Sequence, residues 1–284
     1  VKYYFGGWED GSMKTGWQKI TVHDNEDGKD DDYDYWFNFK SNGERRAHDN
    51  ADDTWKSNSR YYHFDERGVM VYQWFETAST NSASASNWAY FSSPEDGARV
   101  TKGWFKVVAP TEDNSFLESD ATFASKDSSD ESERWYYSDS KDDGLVVGEI
   151  KKIKGKYYGF WPDDSVKGGR MLIGLCALEM NKEDGSKIDK VIMDDMDNDD
   201  LDDFMDNVDA GLYDDSNVYL YYFGDDADAD GSMKTGSVSV NLDGDSYQFQ
   251  FKKTGAADSR GRGVTGIDDG KYIYKYCLLY TSPS

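Results

Sequence analysis

Short strands in which large aromatic side chains alternate with polar ones recur along the chain, each followed by a glycine turn and a shorter second strand. In Tyr35-Trp36-Phe37-Asn38-Phe39 a period of two sends Tyr35, Phe37 and Phe39 to one face and Trp36 and Asn38 to the other. Strand, glycine turn, strand is the signal of a β-hairpin.

Three hairpin types repeat in order. Tyr3-Tyr4-Phe5-Gly6 followed by Gly11-Ser12-Met13-Lys14-Thr15-Gly16 returns as Tyr221-Tyr222-Phe223-Gly224 followed by Gly231-Ser232-Met233-Lys234-Thr235-Gly236. A looser copy runs from Trp88-Ala89-Tyr90-Phe91 through Pro94-Glu95-Asp96-Gly97 to Lys102-Gly103-Trp104. The second type, 35–39 with its turn at 41–43, recurs at 135–144 and 247–251. The third, Tyr61 to Met70, recurs at 156–171 and 271–274. A lone hairpin cannot bury an aromatic face, whereas stacked hairpins can. The expected fold is therefore all-β: an elongated hairpin repeat array, a β-solenoid, with one short helical insertion.

The pattern divides the chain into well-matched hairpins over 1–104, an acidic Ser-rich insertion over 105–134 and degenerate hairpins over 135–174. A second acidic insertion follows over 175–217, and more degenerate hairpins over 218–276. Within 175–217, Leu201, Phe204, Met205 and Val208 stand at helical spacing. The tail 277–284 breaks the periodicity abruptly, resembles a translated sequencing-adapter tail, and is expected to be non-native. Lys2 to Phe5 read as a strand with no Met before them, so the natural beginning is expected to lie further upstream.

Composition sharpens this picture. Only 37% of residues are hydrophobic, yet 15% are aromatic, which suits rings at seams between hairpins better than one thick core. With 32 Lys+Arg against 56 Asp+Glu the net charge is −24, which disfavours a nucleic-acid partner. The longest apolar run, Met171 to Leu178, falls far short of the ~20 residues a membrane-spanning helix needs.

Tyr-Tyr-Phe, a glycine turn, then Met13-Lys14-Thr15-Gly16-Trp17 resembles the choline-binding or cell-wall-binding repeats of Gram-positive surface proteins, and the similar glucan-binding repeats. The resemblance is good over about 1–104 and looser over 135–276. It implies a secreted or wall-associated protein with ligand pockets between hairpins, lined by Trp and Tyr with a Met nearby. The implied partner is cell-wall polysaccharide or choline-substituted teichoic acid. Trp17, Trp74 and Trp104 occupy the Gly-Trp position or its equivalent, and Trp36, Tyr61, Trp88 and Trp135 would complete the pockets from adjacent hairpins. In later copies that Trp is replaced by Glu149, Leu175, Ser237 and Ile267. The same rings also serve packing, so the rival expectation is a structural spacer or protein-interaction stalk without pockets.

Other motifs carry no chemistry in context. Gly261 to Gly266 spells the dinucleotide fingerprint but is followed by strand-like Tyr272-Ile273-Tyr274 rather than a helix. Asp226, Asp228 and Asp230 open like a calcium loop, but the twelfth position is Ser237, so an acidic turn and no cofactor are expected. His23, His48 and His63 lack metal-ligand spacing, and no GxSxG elbow exists. Non-catalytic binding is the expectation, with any enzyme domain lying elsewhere in a parent protein.

Overall fold

The computed structural model describes all residues except 26–29, 48–54, 77–87, 110–132, 140–143, 163–166, 269–270, 275–276 and 279–284. Most of the acidic 105–134 segment therefore lies outside the described residues. The chain forms two compact units, Val1–Ser132 with Ser138–Leu145, and Glu133–Tyr137 with Val146–Ser284.

In the first unit β1 (Gly16–Asp24) pairs with β2 (Asp31–Phe39), β3 (Trp55–Ser57) with β4 (Arg60–Tyr62), and β5 (Gln73–Glu76) with β6 (Trp88–Phe91). It also holds β7 (Gly103–Val108), while β8 (Glu133–Asp139), divided between the units, turns back into β9 (Gly144–Leu145). In the second unit β10 (Ile150–Ile153) pairs with β11 (Lys156–Gly159), and β12 (Leu175–Met180) lies between β13 (Ile188–Met193) and β14 (Val218–Tyr222). A last sheet contains β15 (Gly236–Leu242), β16 (Asp245–Phe251), β17 (Gly266–Asp268), β18 (Lys271–Tyr274) and β19 (Cys277–Leu278). The pairings β1–β2, β3–β4, β5–β6, β8–β9, β10–β11, β12–β13, β12–β14 and those in the last sheet are antiparallel, and the architecture is an all-β array of hairpins.

One backbone geometry underlies the hairpin types. In several hairpins a Phe at or just beyond the end of the aromatic strand forms a single bridge with a residue past the turn: Phe5 with Met13, Phe39 with Arg45, Phe64 with Met70, Phe91 with Arg99, Phe160 with Met171, and Phe251 with Gly263. The bridge residue's N–H, or that of Met233 at the matching place after Phe223, then donates backward, to a carbonyl three positions before Phe5, Phe39, Phe64, Phe160 or Phe223 of the preceding hairpin, or before Ser138 in β8. Arg45 donates to Lys2, Met70 to Trp36, Arg99 to Tyr61, Met171 to Trp135, Met233 to Tyr157 and Gly263 to Leu220, all at 2.7 to 2.9 Å. Each link satisfies a donor and an acceptor that an isolated hairpin would leave to water.

Side chains lock the same joint in the opposite direction. The bridge residue lies over the turn glycine of the next hairpin: Met13 over Gly43, Arg45 over Gly68, Met70 over Gly97 and Met171 over Gly231; Met233, two residues past Gly231, lies over Gly261 in the same way. A Cβ at any of these glycines would overlap that side chain or the adjoining backbone. Methionine's flexible thioether suits such irregular gaps.

The cores are thin. Tyr35, Phe37, Phe39 and Val69 form one in the first unit, on the face that the strand's alternation assigns. In the second unit β12 and β14 are covered by Leu201 and Phe204 of α1 (Asn198–Asp209), the helix read from spacing. Asp197 caps α1: its carboxylate accepts from Asp200 N, and the Asp200 side chain accepts from Asp197 N. Asp199 and Asp200 in the first turn complement the helix dipole.

Three features add to the sequence reading. The 175–217 segment is more than a helical insertion, because it also supplies β12 and β13, with β12 at the centre of its sheet. A strand buried on both faces shows a continuous apolar run instead of alternation, so the Met171–Leu178 run carries no period of two. A second helix, the single turn α2 (Ala227–Asp230), follows β14. Finally, Cys277 and Leu278 pair as β19 with β16 and β18.

Candidate ligand-binding site

In the first unit Gly16, at φ 72°, turns the chain into β1 and presents Trp17 immediately afterwards. In the β1–β2 register Trp17 stands opposite Asn38 and Lys19 opposite Trp36, so these four side chains share one face. The Trp17 ring meets Trp36 edge-on at 6.3 Å between centroids and Tyr62 of β4 at 5.1 Å. Met70 is held beside them by its N–H bond to Trp36 O. Glu95 and Asp96 arrive from the turn after β6. Together Trp17, Trp36, Tyr62, Met70, Glu95 and Asp96 line a cavity of about 210 Å³.

The rings are backed by further aromatics. Trp17 also packs on Trp55 at 5.6 Å and Phe64 at 5.7 Å. The Arg46 guanidinium sits 4.3 Å from the Trp55 ring centre and donates from Nε to Asn38 Oδ1 at 2.9 Å, which fixes the back of the cluster.

The carboxylates at the rim are both paired. Glu95 accepts from Lys19 Nζ at 2.7 Å and from the Trp36 indole N–H at 3.1 Å. These two bonds, the lysine's first, hold its pKa below the usual carboxylate value. Asp96 accepts from Arg60 at 2.8 Å. Two acids against two bases leave the rim close to neutral, so attraction for a cation comes mainly from ring faces. The rings, thioether and few polar groups suit a small organic cation that cannot donate hydrogen bonds.

The second unit repeats part of this construction. The Trp135 indole N–H donates to Asp228 at 2.8 Å, Lys156 pairs with Asp230 at 3.2 Å, and Met171 lies against Gly231. The Asp226 carboxylate caps α2 by accepting from Asp228 N and Ala229 N, so these acids serve local structure and a tryptophan partner. Further along, Arg260 and Lys152 place cations 5.7 and 5.5 Å from the Tyr157 ring centre.

Of the residues expected at pockets, the structure brings Trp17 and Trp36 together in the cavity. Tyr61 points away from it, under the Lys56 ammonium, while its neighbour Tyr62 takes the pocket wall. Trp74 and Trp88 are buried at 0% and 1% exposure, and the Trp74 indole donates to Val108 O. Trp104 is half-buried in β7, and Trp135 belongs to the second unit. Tyr62, Glu95 and Asp96 were not expected as lining. A Tyr-Tyr pair does not show which ring faces inward, and the Pro94-Glu95-Asp96-Gly97 run signals only a turn.

No protein-family model matches the chain, and no curated protein sequence does either. Among solved structures it is similar to CbpF in complex with ipratropium, at 17% identity and TM-score 0.33, covering 98% of this chain and 89% of that one. CbpJ from Streptococcus pneumoniae follows at 15% and 0.33, covering 93% and 94%. The modular autolysin LytC from Streptococcus pneumoniae, in complex with a synthetic peptidoglycan ligand, matches at 15% and 0.36, covering 96% of this chain and 46% of that one. At these values the likeness decides neither fold nor function, and the site's chemistry stands on its own geometry.

Proposed function

We propose that the chain is a non-catalytic envelope-binding module that holds a quaternary ammonium group, such as the choline of a substituted teichoic acid, in its first unit. The protein would then work outside the cell, attached to wall polysaccharide. The observation that carries this reading is the cavity in which Trp17, Trp36 and Tyr62 converge beside Met70. A trimethylammonium group presents methyls to those rings, spreads its charge over them and asks for no hydrogen-bond acceptor. Each ring contributes ~0.5–2 kcal/mol of cation–π attraction.

The test is a fluorescence titration of the full chain with choline, alongside retention on choline resin and on a glucan resin. Saturable quenching by choline that is lost in Trp17→Ala supports the reading. Equal signals from both proteins would leave the rings with packing as their only role. Trp74 and Trp88, shut inside the core, fit the spacer alternative at their own positions.

A further inference from the structure

We infer that Glu95 is a positioning residue: by taking Lys19 it keeps the chain's own ammonium off the Trp36 ring and reserves that face for an external cation. The same ring-and-lysine arrangement recurs in three hairpins, and at Trp36 a carboxylate intervenes.

Trp36, Tyr61 and Tyr157 are equivalent positions. Each stands three residues before a bridging Phe, at Phe39, Phe64 and Phe160, and each carbonyl accepts a backward N–H, from Met70, Arg99 and Met233. Each also faces a lysine across its own hairpin, because the antiparallel registers set Lys19 opposite Trp36, Lys56 opposite Tyr61 and Lys152 opposite Tyr157. Directly opposed side chains stand close enough to meet. At the two tyrosines they do. Lys56 Nζ lies 5.1 Å from the Tyr61 ring centre and Lys152 Nζ 5.5 Å from that of Tyr157, where the Arg260 guanidinium joins it at 5.7 Å. Among the described residues neither lysine has an acidic partner.

At Trp36 the lysine goes elsewhere. Lys19 Nζ is 2.7 Å from Glu95 Oε1, and Glu95 is itself anchored by the Trp36 indole N–H at 3.1 Å. The carboxylate is thereby fixed at the ring's edge and draws the ammonium to it, which leaves the ring to the cavity it lines with Trp17, Tyr62 and Met70. The competing energies are close. An exposed cation–π contact is worth ~0.5–1 kcal/mol and an exposed ion pair ~0.2–1 kcal/mol, so an anchored acid decides between them. A ring that already holds a tethered ammonium, at an effective concentration on the order of millimolar, admits an external cation poorly. That the reserved face takes a quaternary ammonium rests on the function proposed above; that Glu95 decides where Lys19 lies does not.

Protons over an aromatic face resonate upfield, so the ε-methylene signals of the three lysines in the full chain report which of them lies on its ring. In the parent, Lys56 and Lys152 should resonate upfield of Lys19. Glu95→Gln should move the Lys19 signal upfield while those of Lys56 and Lys152 stay in place, which shows the fold intact, and adding Trp36→Leu should cancel the shift. Choline affinity should fall about 2- to 5-fold in Glu95→Gln and recover when Lys19→Met is added. A Lys19 signal unmoved by Glu95→Gln overturns the proposal. So does a shift that survives Trp36→Leu, the mark of capture by Asp34, whose charge also reaches Lys19 and which accepts from Thr21 at 2.6 Å. A moved Lys19 signal with unchanged choline affinity overturns it as well. A parent chain that binds no choline overturns the function proposed above, and the Lys19 signal still decides where Glu95 sends the ammonium.

Discussion

Trp36 donates its indole N–H to Glu95 across 3.1 Å although 59 positions separate the two residues. The bond ties the turn after β6 to the face of β2, and Lys19 of β1 grips the other carboxylate oxygen. Trp135 and Asp228 repeat the relationship over 93 positions in the second unit. At Trp36 the bond holds an acid against a cavity tryptophan and limits how far that rim can open.

Replacing Trp17 or Trp36 by Ala should weaken choline binding by about 2- to 30-fold each, the range that one lost ring face implies. Isothermal titration of the parent and both variants checks this. Trp74→Ala should instead lower stability by ~3–5 kcal/mol, because a fully buried ring leaves a cavity.

Because Lys19 offsets Glu95 and Arg60 offsets Asp96, choline affinity should change little between low and moderate salt. Glu95→Gln leaves Lys19 uncompensated beside the cavity and should weaken binding several-fold at low salt, while Lys19→Met with Glu95→Gln restores it. Titrations at two salt concentrations decide the matter.

The pH dependence follows from the same pair. The pKa of Glu95 lies below its ordinary value, chiefly through its bond from Lys19. The interaction is therefore complete above the ordinary range, near pH ~4.3, and is lost as pH falls through the lower folded value. Binding should hold steady from neutral pH down to about pH 5 and decline below about pH 4. Glu95→Gln should remove that acid limb from an affinity–pH curve.

Asp24 is buried, accepting from Tyr35 Oη at 2.5 Å and from Arg67 at 3.1 and 3.2 Å. Arg67→Leu strands this carboxylate and should cost ~2–3 kcal/mol, below the full buried-pair range because Arg67 is partly exposed. Asp24→Leu with Arg67→Leu should recover most of the loss. Urea unfolding of the three proteins provides the measurement.

The turn glycines should differ sharply. Gly97→Val drives a side chain into Met70 and the Val71 carbonyl and should cost ~1–3 kcal/mol and disturb the cavity. Gly11→Ala meets no atom and should stay within ~0.5 kcal/mol. Thermal melts of both variants compare the positions directly.

What the sequence displays is the part governed by local periodicity. Alternation in 35–39 places Tyr35, Phe37 and Phe39 in the core and Trp36 toward the cavity, as the structure has them. Helical spacing at Leu201 and Phe204 finds α1. The glycine before Trp17 marks a pocket ring, but the same position puts Trp74 inside the core, because surrounding hairpins decide what a ring meets. Glu95 and Asp96 join the cavity by a contact across many tens of residues, which no neighbouring pattern encodes. The central strand β12 escapes for the opposite reason, since burial on both faces erases the alternation that identifies a strand.

The link between successive hairpins joins main-chain atoms, and those atoms are the same whatever residue bears them. Leu220 and Gly263 make it at 2.8 Å, as do Trp36 and Met70. Sequence drift at these positions therefore erodes the rings available for recognition well before it erodes assembly. Such a chain keeps its hairpin links while its copies diverge, and a hairpin whose rings have been replaced persists as scaffold for its neighbours.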